Sequence, residues 1–423
     1  MNTIWQSRWS ALDAQLQSML TQYAATPNPV NNCLHALTDS LQTFGADQFN
    51  FFWDGFDTGQ LLPAMMIPEE HVLRATLDQV AFDINLIQRI FGQRQQTALT
   101  AKLTKADELA QAALDVAVQS GLLPQCGVLT YFNKSANIRI IPYAPIALVG
   151  VPYTATTADL DFLAIPHEVA HYVYHHAPGL AANLHNLIPL YPDWVNHWTE
   201  EIFADVFGAL IAGPIMGYSF QQLLLDNAQE KFVADDGEHP PDAIRPYGCN
   251  QALRQLGYTK AADKLDETWA SSLAQRHYPA EFTPRGSSTP ASLTDAQEII
   301  SQTADLFVDY LENVRQVAQS SPWSSDTNNL ATLEPDFSTW LAQTLQVDHY
   351  LLTAVGSEVG VATGGGTAVN LRAKGSTQTW RDWLKEDVRN NPTVLIPAQA
   401  WLPLFTAGHW PVKGPESNSN GGI

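Results

Sequence analysis

Residues 164–176, AIPHEVAHYVYHH, carry the pattern His-Glu-x-x-His. On an α-helix, residues four apart project from one face about one turn apart, so His167 and His171 can bind one metal ion. Glu168, next to the first histidine, can reach a water on that ion without ligating it. Zinc lowers the pKa of such a water toward about 7, and the glutamate can take its proton as attack begins. The competing reading is a buried helix with two satisfied histidines. One helix supplies only part of a catalytic site, so the rest of the chain has to decide.

A catalytic zinc takes three protein ligands and keeps its fourth position open. The metzincin arrangement needs Gly at 174 and His at 177; the chain has Tyr174 and Ala177, which excludes it. The other common arrangement draws an acidic ligand from a second helix, with an Asp one turn later to hold a histidine by its other ring nitrogen. HWTEEIFADVFGALIAG supplies both: Glu201 and Asp205 are four apart on a strongly apolar segment, where unpaired carboxylates are costly. Glu201 is the expected ligand. Glu200 competes for that role, but Asp205 is five residues from it and off its face; as a non-ligand, Glu200 is solvated or stands behind a ligand. The bland reading, a helix with an exposed acidic edge, fits poorly with so little polar face.

Downstream, DDGEHPPDAIRPYG places Pro240 and Pro241 where the first turn of a helix accepts them and Asp242 at its positive end. His239 then falls at or just before the N-cap and Arg245 one turn inside. Both can face an anionic oxygen, and peptide hydrolysis passes through an oxyanion that needs donors beyond the metal. A plain helix start with a solvent-facing Arg fits the same letters. Tyr247 is a weaker candidate for that task. Asp235, Asp236 and Glu238 match no calcium-loop spacing. His175, His176 and His197 read as surface or core residues rather than ligands.

With these motifs the chain resembles the gluzincin zinc peptidases: His167-Glu168-x-x-His171 is followed by Glu201-x-x-Ala204-Asp205. EIFADVFG is similar to the glutamate-ligand helix of thermolysin-like enzymes. His239-Pro240-Pro241 with Arg245 is similar to the His-Pro…Arg segment of the group containing the CAAX prenyl and HtpX-like proteases. The resemblance spans roughly residues 100–260 and implies a zincin-like core binding one Zn2+ per chain through His167, His171 and Glu201. It further implies Glu168 as general base, Asp205 behind a histidine, His239 and Arg245 assisting substrate or transition state, and a peptide or protein substrate. Three features depart from that group. No membrane-spanning segment is present, so a prenylated membrane substrate is not expected. Pro166, directly before His167, either starts or kinks the helix. The 29 residues between His171 and Glu201 include the insertion LIPLYPDWVNHW, placed to wall the cleft.

The expected fold is α+β, predominantly helical. Residues 1–120 form a helical N-terminal region, with the aromatic run FNFFWDGF interrupting it as core. Residues 121–280 form the zincin-like core, where Val128–Phe132 and Asn137–Ile141 suggest a hairpin and Ile146–Val151 a third strand. That small, mostly antiparallel sheet would pack on the His-Glu-x-x-His helix and align an extended peptide along its edge. Residues 281–297, rich in Pro, Ser and Thr, read as a linker. Residues 298–423 form a helical and irregular C-terminal region with a disordered tail. At the end of the linker Thr294 and Gln297 make a capping box for a helix near 295–318, and GSEVGVATGGGTAVNL in the C-terminal region reads as a flexible turn or lid.

An apolar content of 45% with twelve Trp in 423 residues suits a folded chain with a large core. A net charge of −21 argues against a nucleic-acid partner, since phosphate binding needs clustered Lys and Arg, and only weakly suggests basic substrates. The chain has no apolar run of about 18 residues and no apolar signal core near residue 1. Cys33, Cys126 and Cys249 lack Cys-x-x-Cys spacing and read as buried free thiols in a reducing compartment. A cytoplasmic protein is expected, with signal-independent export left open. Two rivals to a peptidase stand: a zinc hydrolase acting on a non-peptide bond, and a non-catalytic zincin-fold binding or scaffold protein stapled by zinc. Glu168 counts against the scaffold, because structural sites use four protein ligands and need no base.

Overall fold

The structure, a computed structural model, describes residues 3–343 except 64–66, 125, 142, 226, 277–279 and 320–328. Four long helices come first: α1 (Ile4–Ala25), α2 (Pro29–Asp57), α3 (Glu69–Arg94) and α4 (Thr97–Gln119). Strands β1 (Gly127–Asn133), β2 (Asn137–Arg139) and β3 (Ile146–Pro152) follow. Next come α5 (Ala164–His176), α6 (Leu180–Leu187), α7 (Asp193–His197), α8 (Thr199–Ala212), α9 (Pro214–Leu225), α10 (Gln229–Phe232), α11 (Arg245–Gln255) and α12 (Thr259–Ala274). Strands β4 (Glu281–Phe282) and β5 (Ala291–Ser292) precede α13 (Leu293–Asp309) and α14 (Leu330–Ala342). The molecule is predominantly helical with a small sheet, and no helix among the described residues is long and apolar enough to cross a membrane.

The sheet differs from the expected hairpin. Its order is β1-β3-β2: β3 lies between the other two, parallel to β1 over seven residue pairs and antiparallel to β2 over three. The larger pairing is therefore parallel. Both faces of β1 and β3 are buried. Val128, Phe132, Ala147, Val149 and Val151 join the core shared with α4, α5 and α8, while Leu129, Tyr131, Ile146 and Leu148 join the core of α1–α3. Strands buried on two faces read as continuous apolar runs, as parallel strands do, and the most apolar run takes the centre. Gly150 leaves room for the Asn137 side chain across the β2 pairing, since a Cβ there would stand 1.8 Å from Asn137 Oδ1.

The outer edge of β1 is closed by side chains. Thr130 N–H donates to Asp107 Oδ1 (2.7 Å) and its carbonyl accepts from Arg94 Nη1 (2.6 Å). Phe132 N–H donates to Gln93 Oε1 (2.7 Å) and its carbonyl accepts from Gln93 Nε2 (2.8 Å). Arg94 also pairs with both Asp107 oxygens, so α3 and α4 supply the hydrogen bonds a further strand would otherwise make.

Three local expectations change. FNFFWDGF does not interrupt the helical region; it is the C-terminal part of α2, whose Phe49, Phe52, Trp53 and Phe56 form an aromatic core with α1 and α3. Residues 281–297 are not a bare linker: β4 and β5 pair antiparallel, and Phe282 packs buried on Trp194 and Trp198. Helix α13 is capped by Ser292, whose Oγ accepts from Asp295 N–H (3.2 Å), and not by Thr294; Leu293 is already helical because β5 ends at the cap. Cys33, Cys126 and Cys249 are buried and free, and burial pushes the Cys33 thiol up to about 12. The segment GSEVGVATGGGTAVNL and the tail lie outside the described residues.

Candidate metal centre

Pro166 lies in the first turn of α5, where its missing N–H would have no helical partner anyway, so the helix starts there without a kink. His167, Glu168 and His171 follow within the next turns. Helix α8 packs across α5, with the small residue Gly208 at the contact: a Cβ there would meet Met216 Cε at 3.1 Å and stand in ordinary contact with the backbone N of His167 at 3.6 Å. Glu200 and Glu201 stand in the first turn of α8, the end of a helix that favours negative charge. Gly213, with φ 66°, and Pro214 end α8.

These two helices bring three donors together. His167 Nε2 and His171 Nε2 are 3.2 Å apart. Glu201 Oε2 is 3.4 Å from His167 Nε2, and Glu201 Oε1 is 3.6 Å from His171 Nε2. Ligands about 2.0–2.1 Å from a tetrahedral ion stand about 3.3–3.4 Å from one another. His167, His171 and Glu201 therefore fit a metal ion, and all three offer ligand atoms within 4.8 Å of each other.

The far side of each imidazole faces a carboxylate. His171 Nδ1 lies 2.8 Å from Glu200 Oε1, and the same oxygen lies 2.8 Å from His175 Nε2. Glu200 thus stands behind a histidine, not at the donor cluster. His167 Nδ1 lies 3.0 Å from Asp205 Oδ1, without hydrogen-bond alignment. Asp205 accordingly belongs to His167.

His239 and Arg245 differ from the sequence expectation. Helix α11 begins at Arg245, with Pro246 in its first turn, so Pro240 and Pro241 precede the helix in a turn closed by Arg245 N–H on Pro241 O (3.1 Å). His239 is six residues ahead of the helix, in a loop that Asp236 staples: Oδ1 accepts from His239 N–H and Oδ2 pairs with His239 Nδ1, both at 2.7 Å. The ring reaches the cluster, with Nε2 3.3 Å from Glu201 Oε1. Arg245 is buried and turned onto the carboxylates, donating to Asp205 Oδ2 (2.8 Å), Asp205 Oδ1 (3.0 Å) and Glu201 Oε2 (2.8 Å).

Sequence reasoning weighed Asp236 only as a calcium ligand and missed its hold on His239; the spacing Asp-x-x-His was the available signal. Asp235 also organises the loop, accepting from Trp198 Nε1 (3.1 Å), Gly237 N–H (2.8 Å) and Arg285 N–H (2.8 Å). The insertion bearing Trp194 and Trp198 thus buttresses the His239 loop. Tyr247 packs on the core, His197 is exposed, and His176 stacks on Tyr172 at 3.9 Å.

The electrostatics favour a cation. Glu168, Glu200, Glu201, Asp205 and Asp236 surround the cluster, with Arg245 among them. Burial opposes ionisation at Glu201, but His239, His171 and Arg245 outweigh it and hold the carboxyl well below the usual range. Burial likewise opposes a charge on His167, yet Asp205 and Glu201 draw it up to about 10. The field that holds a proton there would also hold a metal ion. Burial raises Glu168, against the pull of His167 and His171; a carboxyl shifted upward is better matched to moving protons near neutral pH. Comparison of the chain with models of known families, with curated proteins and with solved structures returned no match.

Proposed function

We propose that the chain is a zinc-dependent peptide hydrolase of gluzincin type, with His167, His171 and Glu201 as ligands. The observation that carries this reading is the meeting of three donor atoms from two helices, with a separate carboxylate, Glu168, beside the first ligand. A site built only as a staple would not need that fourth, non-ligating group. Bound zinc would supply a Lewis acid that polarises the scissile carbonyl and acidifies water. Glu168 takes the water proton and passes it to the leaving amine. Glu200 orients His171 through its outer nitrogen, and Asp205 sets a negative charge 3.0 Å behind His167 Nδ1. His239, aimed by Asp236, has its Nε2 3.3 Å from Glu201 Oε1 at the edge of the cluster, from where it would turn Nε2–H to the developing oxyanion. Arg245 acts through Glu201 and Asp205 rather than on the substrate.

An extended substrate could use an edge of the three-stranded sheet. The β1 edge is filled by Gln93, Arg94 and Asp107, which leaves β2, at half-buried Asn137 and Ile138, for strand addition. The shortness of β2 favours, as the second reading, a zinc hydrolase on a non-peptide bond.

The test is metal analysis together with Glu168→Gln, assayed on a peptide library and on ester and amide substrates. We expect one zinc per chain in both proteins and peptide cleavage in the native chain. Turnover in Glu168→Gln should fall by about 10²–10⁴. Full activity in the variant, or no zinc in the native chain, would sink the reading; activity on esters alone would favour the second.

A further inference from the structure

Arg245 lies deep beside the ligand cluster, 7% exposed, where no substrate group is needed to explain it. Its guanidinium spends three hydrogen bonds on Asp205 and Glu201, and Phe220 lies across its face, 4.9 Å from Cζ. Asp205 and Glu201 are one turn apart on the buried side of α8, 3% and 8% exposed. Two carboxylates so placed repel each other and lose their hydration, a cost that only a nearby cation offsets. A metal ion would offset it when bound. When none is bound, His167 also faces both, 3.0 Å from Asp205 Oδ1 and 3.4 Å from Glu201 Oε2, but Arg245 is the permanently charged group hydrogen-bonded to both.

We propose that Arg245 is a resident counter-cation: it compensates Asp205 and Glu201 before metal arrives, so the ligand cluster is folded without metal and the ion is exchangeable. This rests on His167, His171 and Glu201 being metal ligands. The guanidinium does not deprotonate in proteins and its planar fork fits carboxylates, so the compensation holds across the physiological range. It also keeps Asp205 ionised as the acceptor facing His167 Nδ1. The surroundings agree, since α4, α5, α8, α11 and α13 share one continuous apolar core around the site. Small metal-dependent folds lack such a core and unfold without their ion.

The experiment compares thermal unfolding in EDTA and in zinc chloride for the native chain, Arg245→Met, Arg245→Lys, and Arg245→Met combined with Asp205→Asn. The native chain should remain folded in EDTA. Arg245→Met should lose about 5 °C or more in EDTA and regain most of that loss in zinc, refolding with zinc if it is unfolded without it. Arg245→Lys should track the native chain, and Asp205→Asn should restore part of what Arg245→Met loses in EDTA. Equal losses in both buffers while the native chain binds zinc in dialysis would overturn this inference alone. Lysine behaving like methionine would also overturn it, because charge would then not be the cause. A native chain that takes up no zinc would overturn the ligand assignment and this inference with it.

Discussion

His171 and Glu200 meet on the side of the imidazole turned away from the ligand cluster: Nδ1 and Oε1 are 2.8 Å apart, while Nε2 faces His167 and Glu201. A carboxylate at Nδ1 keeps the proton there and leaves the Nε2 lone pair for a metal. The adjacent glutamates of the same helical turn therefore differ in position, Glu200 behind the ring and Glu201 at the donor cluster proposed to hold the metal.

That division predicts unequal losses. Glu201→Ala should abolish stoichiometric zinc binding, whereas Glu200→Ala should weaken it by roughly 10–100-fold and still saturate at one ion per chain. Competition against a chromogenic chelator measures both. Complete loss in Glu200→Ala with retention in Glu201→Ala would reverse the assignment.

His239 and Asp236 act as a pair. His239→Ala should lower turnover by about 10²-fold with zinc content intact. Asp236→Asn keeps a side-chain acceptor for the His239 backbone but removes the charge facing Nδ1, and should cause a smaller fall. Steady-state kinetics of the two single variants and the double variant check this; additive losses would show that Asp236 does not act through His239.

The His167 field has a pH signature in metal-free protein. Its folded value of about 10 lies above the ordinary 6.5, so its contribution to stability is complete below about 6.5 and declines as pH rises through about 10. Denaturant unfolding in EDTA should show this decline, and His167→Gln should flatten it. An unchanged pH profile in the variant would remove His167 as its source.

Helix approach at Gly208 can be tested by size. Gly208→Leu should cost about 1–3 kcal/mol through overpacking and weaken zinc binding by pushing α8 from α5. Gly208→Ala should be nearly neutral, because the flexible end of Met216 can give way and alanine favours a helix by about 1 kcal/mol. Urea unfolding with metal titration reads both.

Gln93→Leu tests the closed edge of β1. It leaves Phe132 N–H and C=O without the partners that Gln93 supplies and should cost about 1–3 kcal/mol, with zinc affinity unchanged. A neutral result in chemical denaturation would mean that water satisfies that edge.

Much of the site was legible because helical spacing carries it. Residues 167 and 171, and residues 201 and 205, needed only the 3.6-residue period to be placed on shared faces. The role of Glu200 was legible only as an alternative, since adjacent glutamates look alike until the partner ring is in place. The partners of Arg245 were not legible because its letters suit a helix N-terminus, while the carboxylates it meets come from α8, forty residues earlier. The sheet was misread for a related reason: a polar turn between β1 and β2 is a local signal, and local signals do not report that β3 enters between the strands.

The amino-acid sequence by itself determined the periodic elements, the buried thiols and the donor chemistry, because these depend on neighbours within a few residues along the chain. Tertiary structure decided the order of the strands, the partner of each carboxylate and the direction of Arg245. Those outcomes depend on which buried groups must find a hydrogen bond or a counter-charge once water is gone, and only packed helices can answer that.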